Sequence, residues 1–199
     1  MNERVVVKVG GSLLTWPGLR EGLSADWHAR RARRLVVIVG GGGAADLVRD
    51  LDRIHGLGER RSHHLALCAL DLTARLLAGL MPGLEVVERP DELATVWEAG
   101  RIPILAPRRF LEDDADRPDP LPQTWEATTD SIAARVADRL GAAELALLKS
   151  APLPPGTSRV SAARLGLVDP LFPGVARGLG CVTYRNLRDP AGVTTLLPP

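Results

Sequence analysis

The sequence predicts an α/β fold built on a parallel sheet, and three observations support this prediction. An apolar run at residues 5–9 leads directly into Gly10 and Gly11. A second apolar run at 35–39 leads into four glycines at 40–43, and a helical stretch follows. The spacing of these two units matches a right-handed βαβ crossover, which places both glycine loops at the carboxyl edge of one sheet.

Lysine is confined to two positions. Of the chain's 25 Lys and Arg residues, only Lys8 and Lys149 are lysine, and each lies in or directly after an apolar run. A lysine in a buried strand needs an anion to offset its desolvation. Glycine N–H groups after a strand, together with the positive end of the next helix, favour a phosphate as that anion. The pattern therefore predicts a phosphate site, the alternative being chance placement of two rare residues.

The two glycine loops differ from the common nucleotide motifs. Neither has the Gly-x-Gly-x-x-Gly form of a dinucleotide site, and Lys8 precedes its glycines, unlike the lysine of a Walker A loop. We therefore expect another kind of phosphate site.

Composition narrows the class of protein. A chain of 199 residues with 45% hydrophobic and 25% charged content fits a single domain, residues 1–199. A net charge of +1 and 4% aromatic residues argue against nucleic-acid binding. Cys68 and Cys181 are too few for a disulfide framework or a zinc site. With no signal-type segment or long apolar run, we expect a cytoplasmic protein that does not bind membranes.

The remaining elements follow from periodicity and from turn residues. We expect helices at 24–34 (capped by Ser24), 44–54, 59–80, 91–99 and 161–167, and strands at 84–87, 102–105, 144–148 and 180–184. The polar stretch 108–122 predicts an irregular loop. Hydroxyls and an acid at 128–131 predict a helix start, where they either serve a site or only cap the helix.

Three ordered motifs resemble the amino acid kinase family, which includes acetylglutamate, aspartate, UMP, carbamate and isopentenyl phosphate kinases. They are Val-Lys-Val-Gly-Gly-Ser at 7–12, the glycines at 40–43 and Thr-Thr-Asp-Ser-Ile-Ala at 128–133. The resemblance implies a three-layer αβα sandwich with a mostly parallel open sheet. It also implies an acceptor half at 1–143, a shortened nucleotide half at 144–199, and phosphoryl transfer from ATP with Mg²⁺.

The resemblance also implies roles for particular residues. Lys8 would neutralise the transferring phosphoryl group, Asp130 would orient Lys8 and its partners, and Lys149 would be the third catalytic residue. The residues expected on the ATP side are Gly10, Gly11, Ser12, Lys149 and Ser150, and those on the acceptor side are Gly41, Gly42, Gly43, His63, Thr129 and Ser131; no metal ligand is assigned. Larger members bring another lysine from the nucleotide half; here Lys149, Arg159, Arg164 or Arg177 would take its role, or nucleotide binding is weakened.

Within the family, the chain is most similar to the small kinases of methanofuran biosynthesis, which phosphorylate aminomethylfuranmethyl phosphate. The similarity rests on the short length, Trp125, His63, Leu-Leu-Lys-Ser at 147–150 and Val-Asp-Pro at 168–170. It implies a phosphate monoester as acceptor, with His63 as its ligand unless that histidine is an ordinary helix residue.

Two further alternatives stay open at this point. The same fold would also suit a protein that binds nucleotide or oxyanion without turnover, or a regulatory subunit with a vestigial pocket. By analogy with the family we expect a homo-oligomer paired through an apolar stripe at 65–77, the alternative being a stripe that faces the core.

Overall fold

A computed structural model describes residues 3–189 and 191–199 of the chain. Its strands are β1 (Arg4–Val9), β2 (Arg34–Val39), β3 (Leu84–Val87), β4 (Ile102–Leu105), β5 (Glu144–Lys149), β6 (Val182–Asn186) and β7 (Thr195–Leu196). They form one sheet in the order β3-β4-β2-β1-β5-β6-β7, in which every described pair is parallel except β6 with β7. The predicted mostly parallel sheet is confirmed.

Helices cover both faces of the sheet. They are α1 (Leu19–Ala29), α2 (Gly42–His55), α3 (Glu59–Leu80), α4 (Leu93–Glu98), α5 (Pro107–Asp114), α6 (Thr129–Arg139), α7 (Arg159–Arg164) and α8 (Phe172–Val175). Short 3-10 turns lie at Gly11–Leu13, Pro90–Glu92 and Ala176–Gly178. One core cluster joins α1 and α3 to the sheet, and another joins α4 to α8 to the opposite face. The result is the expected three-layer α/β architecture.

Continuous apolar sequence in β1, β2 and β5 follows from this layering, because a central parallel strand is buried on both faces. Every residue of β1 after Arg4 and of β2 after Arg34 is buried. The three strands are neighbours and end side by side, so the loops that follow them share one edge of the sheet. In the described ranges, no helix combines the length and the hydropathy of a membrane-spanning segment.

The predicted helix at 59–80 and the strands at 84–87 and 102–105 are confirmed, whereas the prediction for the first helix is wrong at its start. Helix α1 begins at Leu19, five residues before Ser24, which therefore lies inside the helix and does not cap it. The helix starts early because Pro17 and Gly18 provide the turn that precedes it.

The stretch at 108–122, predicted to be irregular, contains most of α5. Pro107 lies in the first turn of α5, where a proline needs no N–H partner. The Arg108–Glu112 and Arg109–Asp113 ion pairs stabilise the helix at i,i+4 spacing. Further along the chain, α7 begins before the predicted helix at 161–167, and β6 runs beyond the predicted strand at 180–184 to Asn186.

The apolar stripe of α3 faces outward. Leu65, Leu72 and Leu76 are 40%, 60% and 48% exposed. The buried side of the helix is a different set of positions, Leu67, Ala69, Leu70, Ala74 and Leu77 among them. Within residues 65–77 the helix therefore carries apolar residues on two sides, and the core-facing alternative holds for one side but not for the other.

The two glycine loops touch each other through backbone atoms. A Cβ atom built on Gly11 would lie 2.3 Å from the backbone nitrogen of Gly42, and one built on Gly40 would lie 2.5 Å from that of Gly11. Gly42 also has a φ of +50°, a conformation that side chains disfavour. Any side chain at these positions would force the loops apart.

We expect Gly11→Ala to lower the free energy of unfolding by about 1–3 kcal/mol, because the added methyl group overpacks the contact between the loops. Gly43→Ala is the matched control, because a Cβ there meets nothing within 4 Å. This control should leave stability unchanged or raise it by up to about 1 kcal/mol. Urea unfolding of both variants checks the prediction, and equal stabilities would contradict it.

Candidate active site

Both lysines project from the same face of the sheet. Side chains alternate along a strand, so Lys8 shares a face with Val6, and Lys149 shares one with Leu147. Val6 and Leu147 both belong to the core cluster that contains α6. The two ammonium groups therefore lie on the α6 side, at the carboxyl ends of adjacent strands.

Asp130, in the first turn of α6, lies between the two lysines. Lys8 Nζ is 2.8 Å from Asp130 Oδ1, and Lys149 Nζ donates to Asp130 Oδ2 at 2.7 Å. The side chains of Lys8 and Asp130 are each 6% exposed, and that of Lys149 is 14% exposed. Burial alone would raise the pKa of Asp130, but the two ammonium groups outweigh it and hold that pKa below its usual range.

The surroundings of Lys149 change its pKa. Burial and the nearby charge of Lys8 lower the pKa of Lys149 to about 8, although Asp130 opposes the change. At neutral pH the three groups together carry one net positive charge. A desolvated positive charge at the end of a parallel strand is well placed to attract a phosphate.

Asp169 fixes the start of α6. Its Oδ2 accepts hydrogen bonds from the Thr128 N–H at 3.2 Å, the Thr128 hydroxyl at 2.8 Å and the Ser131 N–H at 2.9 Å. Its Oδ1 accepts from the Ser131 hydroxyl and from two N–H groups at the start of α8. Six donors around one carboxylate match its ionised form, although burial raises the pKa of Asp169. The aspartate thereby holds the turn that carries Asp130.

The sequence shows Asp169 only as part of the Val-Asp-Pro motif at 168–170. It does not reveal this capping contact, because the contact joins residues far apart in the chain. The contact also changes the picture of Ser131, which was expected to donate to the acceptor. Ser131 is fully buried, and its hydroxyl and N–H both bond to Asp169. In this arrangement Ser131 is part of the helix cap.

On the side expected to hold ATP, the serine hydroxyls approach each other. The Ser12 and Ser150 hydroxyl oxygens are 2.7 Å apart, which joins the loops after β1 and β5. The Gly10 N–H, expected to hold a phosphate oxygen, instead donates to the Leu148 carbonyl at 2.8 Å and extends the sheet. That expectation for the Gly10 N–H is corrected, and the polar groups at this edge include the serine hydroxyls and Lys149.

On the side expected to hold the acceptor, three predicted residues share one pocket. Gly41, His63 and Thr129 line it together with Leu70 and Trp125. Helix α2 begins at Gly42, so the first N–H groups of that helix have no partner inside the helix. Gly43 is exposed. The pocket therefore lies against an anion-attracting helix terminus.

His63 is buried and bonded through one ring nitrogen. Its Nδ1 lies 3.2 Å from the Thr124 carbonyl oxygen, which only accepts, so Nδ1 carries the hydrogen. Burial lowers the pKa of His63, and the neighbouring His64 contributes to the lowering, whereas the bond to Thr124 raises it. A neutral His63 has an acceptor at Nε2, which suits a hydroxyl or ammonium group better than a phosphate.

Trp125 forms one wall of the pocket and is held on two sides. Its indole N–H donates to Asp52 Oδ2 at 2.9 Å, which lowers the pKa of Asp52. The guanidinium carbon of Arg49 lies 4.9 Å from the centre of the Trp125 ring. The sequence places Trp125 near the site but does not reveal Asp52 and Arg49 as its supports.

One arginine considered as a replacement for a nucleotide-side lysine is a structural residue. Arg159 is 1% exposed, and its guanidinium donates to the carbonyl groups of Leu197, Ala176 and Leu179. Burial lowers its pKa. A different arginine, Arg188, approaches the first glycine loop; it lies beyond the predicted end of β6 and was missed for that reason.

Mg²⁺ is expected with ATP, and the side chains of the site indicate whether the protein or the substrate phosphates would bind it. Residues 3–189 and 191–199 contain no group of three or more His, Cys, Asp or Glu side chains suited to a metal ion. Both oxygens of Asp130 already face lysines. A protein-held magnesium cage does not fit these residues, whereas an ion held mainly by substrate phosphates does not require one.

Comparisons with known proteins identify the fold and the family. The UMP kinase from Ureaplasma parvum matches with a TM-score of 0.66 and 13% identity over 100% of both chains. The aspartate kinase from Synechocystis matches with a TM-score of 0.69 and 18% identity, over 98% of this chain and 40% of that chain. The uridylate kinase from Archaeoglobus fulgidus matches with a TM-score of 0.61 and 18% identity, over 90% and 89%. These likenesses show the shared fold.

A search of curated protein sequences gives no match. The sequence profile of the Amino acid kinase family matches residues 3–152, a range that includes both glycine loops, Lys8, Asp130 and Lys149. By this match over most of its length, the chain belongs to the amino acid kinase family.

Proposed function

We propose that the chain transfers a phosphoryl group from ATP to a small anionic metabolite held between the two glycine loops. The observation that carries the proposal is the buried Asp130 carboxylate between Lys8 and Lys149, the two lysines of the chain. Phosphoryl transfer requires little covalent chemistry from a protein, and catalysis comes from positioning and charge stabilisation. A pair of held ammonium groups beside two anion-attracting loops meets both needs.

In the proposed reaction Lys8 neutralises the transferring phosphoryl group, and Lys149 contributes the second positive charge. Asp130 keeps the two ammonium groups apart and oriented before any phosphate enters. Mg²⁺, bound to the phosphates of ATP, supplies further neutralisation of their charge. An acceptor that is already an anion needs no general base, so the site requires no further titrating group.

For the acceptor we propose a phosphate monoester of the aminomethylfuranmethyl phosphate type. Its phosphate would lie at the start of α2, where the N–H groups and helix dipole favour an anion. The flat ring would lie along the Trp125 wall. Its ammonium group would donate to His63 Nε2, which the bond from Nδ1 to Thr124 leaves as an acceptor.

For the adenine of ATP we propose a pocket at the carboxyl ends of β5 and β6. It is lined by Pro152, Leu153, Tyr184, Asn186 and Asp189, among others. Apolar walls with a few polar groups are typical of such sites. A base held there would place its phosphates toward Ser150 and Lys149, so residues 144–199 would form the nucleotide half despite their small number.

We also propose that two copies of the chain pair through the exposed stripe of α3. Leu72 and Leu76 lie on this stripe. The preceding helix, α2, also exposes two apolar side chains, Leu47 and Ile54. A two-fold interface requires a self-complementary surface. The charges of α2 alternate in sign along exposed Asp–Arg pairs, which suits contact with an identical copy.

We expect Lys8→Gln to lower kcat by about 10²- to 10³-fold, because it removes charge stabilisation of the transferring group. ADP release is measured with ATP, Mg²⁺ and a panel containing aminomethylfuranmethyl phosphate, UMP and aspartate. Arg101→Gln, an exposed charge change just before β4 and outside α2 and α3, is the control and should retain activity. Full turnover by Lys8→Gln would contradict the mechanism, and ATP binding without ADP release across the panel would favour a binding protein.

Lysine-selective ¹³C NMR tests the electrostatics directly, because the chain contains two lysines. The signal that disappears in Lys149→Arg should titrate with a midpoint near 8, well below 10.5. Since Lys149 loses its positive charge as pH rises through that value, ATP affinity should fall over the same range. A midpoint near 10.5 would show that burial and Lys8 do not act on Lys149 as described.

Size-exclusion chromatography with light scattering tests the pairing. The wild type should give twice the 21.3 kDa chain mass, and Leu72→Lys should give the monomer because a charge in an apolar interface is costly. Leu165→Lys, at an exposed leucine outside α2 and α3, is the control. A monomeric wild type, or a dimer that survives Leu72→Lys, would exclude this interface.

A further inference from the structure

We infer that Arg188 is a third cation of the ATP site and binds the phosphates of the donor. This inference rests on the proposed function, because it concerns the donor side of the same reaction. Arg188 was not among the arginines that the sequence offered as replacements for a nucleotide-side lysine. Its position in the fold, rather than any local motif, identifies it.

The segment after β6 holds Arg188 against the first glycine loop. The Leu187 N–H donates to the Lys149 carbonyl at 2.8 Å, and the Leu187 side chain is buried. The next residue, Arg188, donates from Nη2 to the Ser12 carbonyl at 2.9 Å. Arg188 therefore bridges the loop after β1 and the segment after β6, and its backbone is fixed to the strand that carries Lys149.

The net charge of the lysine–aspartate group is small enough for a third cation to bind the same triphosphate. Lys8 and Lys149 share one carboxylate, so together they offer one net positive charge to a triphosphate that carries several negative charges. Arg188 is exposed, and no carboxylate in the ranges 3–189 and 191–199 forms an ion pair with it. One carbonyl engages a small part of a guanidinium with five N–H donors, and the remaining donors match phosphate geometry.

In the chain, Arg188 lies between residues of the proposed adenine pocket, and its side chain contacts the loop that follows Lys8. Residues on both sides of it in the chain, Asn186 and Asp189, line that pocket. Its guanidinium group is at Ser12, in the glycine loop that follows Lys8. Phosphates that extend from the pocket toward Lys8 would pass the guanidinium group, where a forked donor can bind two phosphate oxygens at once.

Two other arginines of this half do not share that position. Arg159 is buried against carbonyl groups. Arg177 is exposed, but its 3-10 turn lies near Asp138, toward the opposite end of α6 from Asp130. Arg177 is therefore a matched control, since it has the same charge and exposure and lies away from the carboxyl edge.

Titration calorimetry with ATP and Mg²⁺ tests the inference. We expect Arg188→Gln to weaken ATP binding by at least about tenfold, the usual effect of losing a charged hydrogen bond. Arg177→Gln should bind like the wild type. Arg188→Lys keeps the charge but not the fork, and it should recover part of the lost affinity, which separates the charge from any change in loop position.

The outcomes separate this inference from the proposed function. If Arg188→Gln binds ATP as tightly as the wild type, or if Arg177→Gln weakens binding equally, the role of Arg188 is wrong and the proposed kinase stands. If Arg188→Lys is as weak as Arg188→Gln, the lost affinity comes from the broken contact with the Ser12 carbonyl rather than from a lost phosphate ligand, and the role of Arg188 as a cation of the site is wrong. If the wild type does not bind ATP, both the inference and the proposed function fail.

Discussion

The contact of Asp130 with Lys8 and Lys149 is the interaction on which the rest of the site depends. Two ammonium groups in neighbouring strands would repel each other inside the sheet if no anion lay between them. Asp130 supplies that anion from the first turn of α6, so the contact joins β1, β5 and α6 at one point. The triad is thus at once a structural connection and a source of positive charge.

The position of Asp130 depends in turn on Asp169, which lies in the part of the chain after β5. Thr128, the residue at the start of α6, does not cap the helix with its own side chain. Its hydroxyl instead donates to Asp169, which also binds the start of α8. A carboxylate from outside the helix therefore replaces the usual local cap. Asp169 therefore couples α6 and α8 to the central strands β1 and β5, because it holds the turn whose Asp130 binds both lysines.

The sequence predicts the features of the site that depend on local pattern. The strands that end in glycine and the lysine inside β1 are visible as periodicity and turn residues, and the crossover rule brings the two loops to one edge. The contacts of Asp169 with α6 and of Arg188 with Ser12 are different, because each joins residues more than 35 positions apart. No local pattern records such a contact, and the early end predicted for β6 concealed that Arg188 follows a strand at this edge.

A local pattern also does not show which side of α3 packs against the sheet. Periodicity shows that Leu65, Leu72 and Leu76 share one face, but not which of the two apolar sides of the helix meets the sheet. For His63 the sequence indicates a residue near the anion site, whereas its protonation depends on burial and on the Thr124 carbonyl. Burial and long-range hydrogen bonds are tertiary properties, so the chemistry of a side chain was harder to predict than its location.

The backbone contact between Gly11 and Gly42 limits how such a site can diversify. No side chain lies between the two loops, so the separation of donor and acceptor is set by the main chain and does not change when nearby side chains are replaced. A change of acceptor would have to come from the walls of the pocket, such as Arg49 and Trp125. The distance over which a phosphoryl group moves would stay constant while the molecule that receives it varies.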